Sequence, residues 1–278
     1  MLAMRSGTLS GERMDLELAG KTAIVTGGSR GIGKAVAREL AAEGVDLAIV
    51  ARSAEALNQA AAELAESSGR RIVPIVADTG NDESVKAMVE QAASALGRLD
   101  ILVNCAAQPG GQAPPPRLAE ITDDAFYSDI NVKVMGYLRC AREVAPHMIR
   151  QGWGRIINIS GLAARSTGST IGSMRNVAVV AMTKNLADEL GPRGINVSVV
   201  HPAVTRTEKT PGVIASLAER QGISVEDAEK RMVNNLVGRW IDARDIAYVV
   251  TFLASPKAAA INGDVIAAGG GVKGVIYY

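Results

Sequence analysis

Apolar and polar positions along this chain follow two periods in turn. Residues 22–26 are a short apolar, β-branched run, whereas Ile32, Val36, Ala37 and Leu40 recur at helical spacing, so the period switches from strand to helix across the glycines between them. The exchange then repeats. Apolar runs at 46–50, 71–76, 100–104, 155–160, 196–200 and 264–267 predict six further strands, and the intervening pattern predicts helices over about 53–67, 81–96, 122–150 and 173–190, the third capped by Thr122. Alternating units of this kind predict an α/β fold with a doubly wound parallel sheet of about seven strands in a single domain. Ligands then gather beyond the carboxyl ends of the strands.

Three segments interrupt the rhythm. Residues 1–17 are polar and aperiodic, which predicts a disordered leader before a domain spanning 18–278. Residues 109–117, PGGQAPPPR, read as a surface loop. Residues 205–241 are charged and helix-forming, and are expected to fold over the sheet's carboxyl edge as a substrate lid whose motion admits substrate and excludes water.

The glycine turn carries the first chemistry. Gly27, Gly28, Gly31 and Gly33 fall within seven residues between a strand and a helix. Such a turn leaves the first N–H groups of the helix pointing outward, and with the helix dipole they form a seat for a phosphate in a Rossmann-like fold. The spacing T-G-x-x-x-G-x-G departs from G-x-G-x-x-G, but the flanking strand and helix that give such a motif meaning are both present.

Composition narrows the partner. A chain of 278 residues, 47% hydrophobic, can bury one large core. A net charge of +1 with both signs interspersed argues against nucleic acid, and no apolar run reaches the roughly 18 residues that span a bilayer, so a small-molecule substrate and a cytoplasmic setting are expected, without a membrane partner. Cys105 and Cys140 lack metal-ligand spacing and lie in apolar surroundings, which predicts buried, reduced thiols and no metal.

Over residues 18–271 the sequence resembles the short-chain dehydrogenase/reductase family. The resemblance is carried by TGGSRGIG at 26–33, Asp78, LVNCAA at 102–107, Asn131, GRIINIS at 154–160, TKNLADELGPRGINV at 183–197 and HPAVTRT at 201–207. It implies a nicotinamide dinucleotide and hydride transfer between it and an alcohol or carbonyl. It also implies cofactor contacts from Thr26, Gly27, Ser29, Arg30, Gly31, Ile32 and Gly33. Asp78 and Thr79 would border the adenine, Asn104 and Ala106 the adenosine ribose side, and Val204 and Thr207 the nicotinamide amide, with Pro202 a further cofactor contact. A carboxylate about twenty residues past the glycines would favour NAD. Arg52 stands there instead, followed by Ser53, and with Arg30 it could grip a 2′-phosphate, which predicts NADP(H) over NAD(H). The resemblance further implies a homo-oligomer, dimer or tetramer, packed through the 122–150 and 173–190 helices.

The resemblance breaks at the proton donor. The family places a tyrosine four residues before a lysine, and counting back from TKNLADEL puts Gly172 and Asn176 at those positions. Asn131 and Ser160 (or Gly161) remain as catalytic candidates, Asn176 as a ribose contact, Arg165 or Arg175 as an oxyanion or carboxylate site, and His201, Tyr277 and Tyr278 as replacement acids. Three readings follow: an NADP(H)-dependent oxidoreductase with a non-standard active site, which is favoured; a dinucleotide-binding sensor, scaffold or partner subunit without turnover; or non-redox chemistry such as dehydration in the same cleft. Restoring the pair by Gly172→Tyr with Asn176→Lys is expected to raise activity in an otherwise intact cleft.

Overall fold

The computed structural model describes residues 14–107 and 114–273. The central apolar runs form strands with both faces buried, whereas the edge strands at 72–76 and 265–268 are only partly covered. In β1 (Thr22–Thr26), Ala23 and Val25 face one helical layer and Ile24 the other; in β2 (Asp46–Ala51), Leu47 and Ile49 oppose Ala48 and Val50. This period-two division of wholly apolar strands is what a parallel sheet covered on both sides demands. The remaining strands of the sheet are β3 (Ile72–Val76), β4 (Ile101–Asn104), β5 (Gly154–Ile159), β6 (Ile195–Pro202) and β9 (Val265–Ala268), in the order β3-β2-β1-β4-β5-β6-β9, all parallel.

One face carries α1 (Gly31–Ala42), α2 (Ala54–Ser68) and α9 (Ala243–Ala254); the other carries α3 (Asp82–Leu96), α5 (Gly136–Gln151) and α6 (Thr170–Leu190). Because the chain winds outward from β1 to β3 and then crosses back to β4, the strand order reverses between β1 and β4. The crevice beyond their carboxyl ends is where an α/β sheet of this topology binds ligands.

The expected 122–150 helix is divided. Thr122 caps α4 (Asp123–Ile130), accepting from Ala125 N–H at 3.2 Å, and a π-helical turn, Asn131–Met135, joins it to α5. Past the turn, Gly136 packs against Thr79, whose backbone oxygen would lie 3.0 Å from an added Cβ. Helix α6 starts at Thr170, ahead of the predicted residue 173, because the Ser169 hydroxyl caps it by accepting from Gly172 N–H at 3.1 Å.

The 205–241 segment contains two helices, α7 (Thr210–Gln221) and α8 (Val225–Met232), packed through Ile214, Ala218 and Ala228. Its ends are joined by a parallel pair of two-residue strands, β7 (Thr205–Arg206) and β8 (Ile241–Asp242), and by an Arg206–Asp242 ion pair at 2.5 Å. Residues 1–13 of the expected leader, residues 109–113 of the expected loop, and Tyr277 and Tyr278 lie outside the described residues. Among the described residues no helix is long and apolar enough to cross a membrane.

Candidate functional site

At the reversal point, β1 and β4 are locked together by Thr26, whose hydroxyl accepts from the N–H groups of Cys105 (3.0 Å) and Ala106 (3.2 Å). Gly27 follows at φ +70, and a Cβ on it would lie 3.0 Å from Ala106 N and from the Cys105 carbonyl. The turn therefore runs backbone against backbone. Gly33 closes it from the helix side: an added Cβ would sit 2.3 Å from Gly27 O. Gly28 is buried, and Ser29 and Ile32 are half-buried on the same turn.

Helix α1 begins without a cap of its own, since Arg30 at the N-cap is extended and makes no side-chain bond to the following amides. The N–H of Gly31 instead donates to both carboxylate oxygens of Glu208, at 3.1 and 3.2 Å. An anion already sits on the helix N-terminus, supplied by the start of the 205–241 segment. The helix dipole favours a carboxylate at this position. Thr207 borders the same turn, its methyl 3.7 Å from where a Gly31 Cβ would stand; Pro202 is buried at the end of β6 and Val204 is half-exposed beyond it.

Around this seat the other expected cofactor residues divide. Arg30 and Arg52 are exposed and neither has an ion-pair partner among the described residues, while Ser53 is exposed at the start of α2. Asp78 is exposed and its Oδ1 accepts from Gly80 N–H at 2.9 Å; Thr79 is buried. Asn104 is fully buried, its Nδ2 donating to Asn158 Oδ1 at 2.9 Å, and Ala106 is half-buried. Asn131 spends its amide on Gly80 O at 3.0 Å, which ties the π-turn to the loop after β3. Its backbone oxygen accepts from Arg139.

A second cluster lies beyond the carboxyl ends of β5 and β6. Ser160 donates from its hydroxyl to Asn176 O at 3.1 Å. The Nζ of Lys133, from the π-turn, donates to Ser160 O at 3.0 Å and to Asn176 Oδ1 at 3.1 Å. Lys133 is 5% exposed. Burial, reinforced by the charge of Arg175, brings its amine down to about 7. His201 is fully buried; its Nδ1 accepts from Gly161 N–H at 3.0 Å, which puts the ring proton on Nε2, where it has no partner among the described residues. Burial lowers His201 to about 4, so it is neutral at neutral pH.

The remaining candidates are engaged elsewhere. Arg175, an oxyanion candidate from the sequence, is held by Asp129 at 2.6 and 2.7 Å. Cys105 and Cys140 are free thiols pushed by burial to about 12, and Tyr137 is buried with its hydroxyl donating to Ile159 O at 3.0 Å. Gly172 lies in the first turn of α6. Sequence reasoning missed two residues, Lys133 and Glu208. Lys133 shares a helical stripe with Tyr137, Cys140, Val144 and Met148, all buried, and a lysine on such a stripe was the available signal.

Compared with known families, residues 21–216 match the model described as short chain dehydrogenase. The chain belongs to that family. Among the short-chain dehydrogenases, the short-chain reductase protein NovJ of Streptomyces niveus is 35% identical over 251 residues, covering 90% of this chain and 92% of that protein. In structure the chain is similar to L-sorbose reductase from Gluconobacter frateurii complexed with NADPH and L-sorbose, with TM-score 0.89, 28% identity, and coverage of 95% of this chain and 100% of that one. It is also similar to YwfH, an NADPH-dependent reductase involved in bacilysin biosynthesis, with TM-score 0.84, 26% identity, and coverage of 92% and 99%. This short-chain dehydrogenase thus has the family's sheet and crevice, and the residues at its glycine turn fit a dinucleotide: a helix N-terminus that already takes an anionic oxygen, a backbone cradle that a Cβ would fill, and two guanidinium groups without ion-pair partners among the described residues.

Proposed function

We propose that the chain is an NADP(H)-dependent oxidoreductase acting on a small carbonyl or alcohol substrate through a non-standard proton-transfer site. The observation that carries this is the α1 N-terminus, left uncapped by its own side chains and already holding an anion, with exposed Arg30 at the N-cap and exposed Arg52 just past β2, the strand that pairs with β1. Two similar structures are an NADPH complex and an NADPH-dependent reductase, which supports the same cofactor here. When bound, the nicotinamide would supply or accept the hydride.

The protein's own part is binding, orientation and proton handling. Amides of the 27–33 turn hold the pyrophosphate, and the guanidinium groups of Arg30 and Arg52 grip a 2′-phosphate by charge-assisted hydrogen bonds. Thr207 and Val204 border the nicotinamide end, and the segment at 205–241 covers the crevice and excludes water. Gly172 and Asn176 stand in place of the family's tyrosine and lysine. Assembly as a homo-oligomer would cover the α6 face, where Met174 and Val177 are half-exposed.

Removing each guanidinium is expected to cost about tenfold in NADPH affinity. Arg30→Ala with Arg52→Ala therefore weakens NADPH about 100-fold and NADH by little, measured by fluorescence titration. Glu208 competes for the pyrophosphate seat, so Glu208→Gln tightens NADPH by about threefold, the scale of a charge at an exposed helix terminus. An unchanged constant would show that the carboxylate does not compete. The reaction itself is tested by NADPH consumption against a panel of aldehydes, ketones and quinones. Tight binding with no turnover anywhere in the panel would replace this reading with a dinucleotide-responsive sensor, scaffold or partner subunit.

A further inference from the structure

Lys133 is a buried amine with no carboxylate to neutralise it. Its two hydrogen-bond partners, Ser160 O and Asn176 Oδ1, are neutral acceptors, and it makes no salt bridge among the described residues. The acid nearest in charge, Asp129, is committed to Arg175. Burying an ammonium without a counter-ion is costly unless something is gained from it. Its place is also informative. The nitrogen lies at the carboxyl end of β5, beside Ser160, the edge where an α/β sheet performs its chemistry.

The groups facing Lys133 do not offer a rival acid. Cys105, beyond β4, is held protonated far above neutral pH; His201, on β6, is neutral; and Tyr137, one turn along α5, is raised well above its ordinary value and bonded to Ile159 O. Arg175, on α6, does not release a proton and is paired with Asp129 of α4. Among these groups, only Lys133 is brought by burial to about 7.

We infer that Lys133 Nζ is the proton donor of the reductive reaction, acting on the substrate oxygen directly or through one water. This rests on the oxidoreductase reading above. As a hydride from the reduced nicotinamide dinucleotide forms the new C–H bond at the carbonyl carbon, the C=O π pair moves to oxygen and takes a proton from the ammonium. The products are an alcohol, the oxidised dinucleotide and a neutral amine, which solvent reprotonates. In the oxidative direction the neutral amine takes the alcohol proton.

The test compares wild type with Lys133→Met and Lys133→Arg in the full chain, using NADPH and a carbonyl substrate from the panel. Wild-type kcat in the reductive direction is expected to fall tenfold per pH unit above about 7, because the ammonium is the required form. Lys133→Met is expected to lose roughly 100-fold in kcat, the lower range of general acid catalysis, to lack that inflection, and to keep NADPH affinity. Lys133→Arg keeps the charge but cannot give up a proton, and is not expected to restore the rate. Independently of turnover, lysine side-chain NMR should show one amine titrating near 7 that is absent from Lys133→Met. Either result overturns the inference: every lysine titrating above about 9, or Lys133→Met retaining both kcat and its pH profile, as a purely architectural lysine would allow. Absence of NADPH binding to the wild-type chain would instead overturn the oxidoreductase reading, and the donor role with it, while leaving the amine's titration as a fact of the fold.

Discussion

Gly33→Ala is expected to destabilise the protein by about 3 kcal/mol and to weaken NADPH binding by two orders of magnitude or more. The added Cβ would stand 2.3 Å from Gly27 O and 2.8 Å from Gly27 C, both backbone atoms, so no side chain can swing aside to relieve the contact. The turn has to open. Opening it moves the amides of Gly31 and Ile32 away from the line of the helix axis and pulls Gly27 off the end of β4, where it lies against Ala106 N. Stability would be read from urea unfolding and affinity from fluorescence titration. A control is Gly212→Ala in α7, where an added Cβ meets nothing within 4 Å. There the helix should gain up to about 1 kcal/mol from the better helix former. Equal effects at both positions would show that the close approach at Gly33 is not what shapes the seat.

Asn176→Lys should also destabilise the chain, by about 3 kcal/mol, and the loss should disappear in the Lys133→Met, Asn176→Lys double variant. Asn176 is 3% exposed and its Oδ1 accepts from Lys133 Nζ, so a lysine there places two buried amines where one already lacks a counter-ion. One of them has to deprotonate or the local packing has to yield. The same geometry changes what is expected of placing a tyrosine at 172 and a lysine at 176. Gly172→Tyr brings a Cβ to 2.7 Å from Ser169 Oγ, the cap of α6, and Asn176→Lys collides with the charge of Lys133. Activity should therefore rise only when Lys133→Met is made as well, so that the new lysine is the sole amine in the cluster. A double-mutant cycle on unfolding free energy gives the coupling. Additive effects at the two positions would separate the amines and contradict their hydrogen-bonded placement.

Lys133 also leaves a mark on stability as pH changes. Its folded value, about 7, lies below that of an unfolded lysine, about 10.4. The unfolded chain binds more protons between those limits, so this group's contribution rises with pH through that window and is lost as pH falls back toward 7. His201 acts in the same sense at lower pH: depressed to about 4, it favours the folded state above about 6.5 and withdraws that support as the medium is acidified toward 4.

Most of the architecture was legible because burial on both faces leaves a strong trace. A strand such as β1 is buried along its whole length and apolar at its three central positions, and a helix such as α3 announces its start with Asn81, whose side chain accepts from Ser84 N–H at 2.8 Å. The π-turn at Asn131–Met135 left no such trace. It is accompanied by Gly136 meeting Thr79, Arg139 donating to Thr79 O and Asn131 donating to Gly80 O, contacts between residues some 50 or more apart in the chain. The two-residue strands β7 and β8 were hidden for the same reason, being fixed by the distant pair Arg206 and Asp242.

The candidate site was legible where backbone made it and obscure where side chains did. The glycines at 27, 31 and 33 declare a close turn by their lack of side chains. Glu208 looks in sequence like one more charge in a polar segment, and only the fold carries it across 177 positions to Gly31 N–H. Lys133 is the reverse case. Its position on the buried stripe with Tyr137 and Val144 could be read from helical spacing, but its acceptors, Ser160 O and Asn176 Oδ1, come from two other elements.

The central claim is that a phosphorylated nicotinamide dinucleotide settles on the α1 N-terminus, with Arg30 and Arg52 on its 2′-phosphate. Isothermal calorimetry of the full chain with NADPH and NADH at one salt concentration tests it most directly. The account predicts a saturable signal for both, with NADPH tighter by at least about tenfold. Equal affinities, tighter binding of NADH, or no heat with either would contradict it.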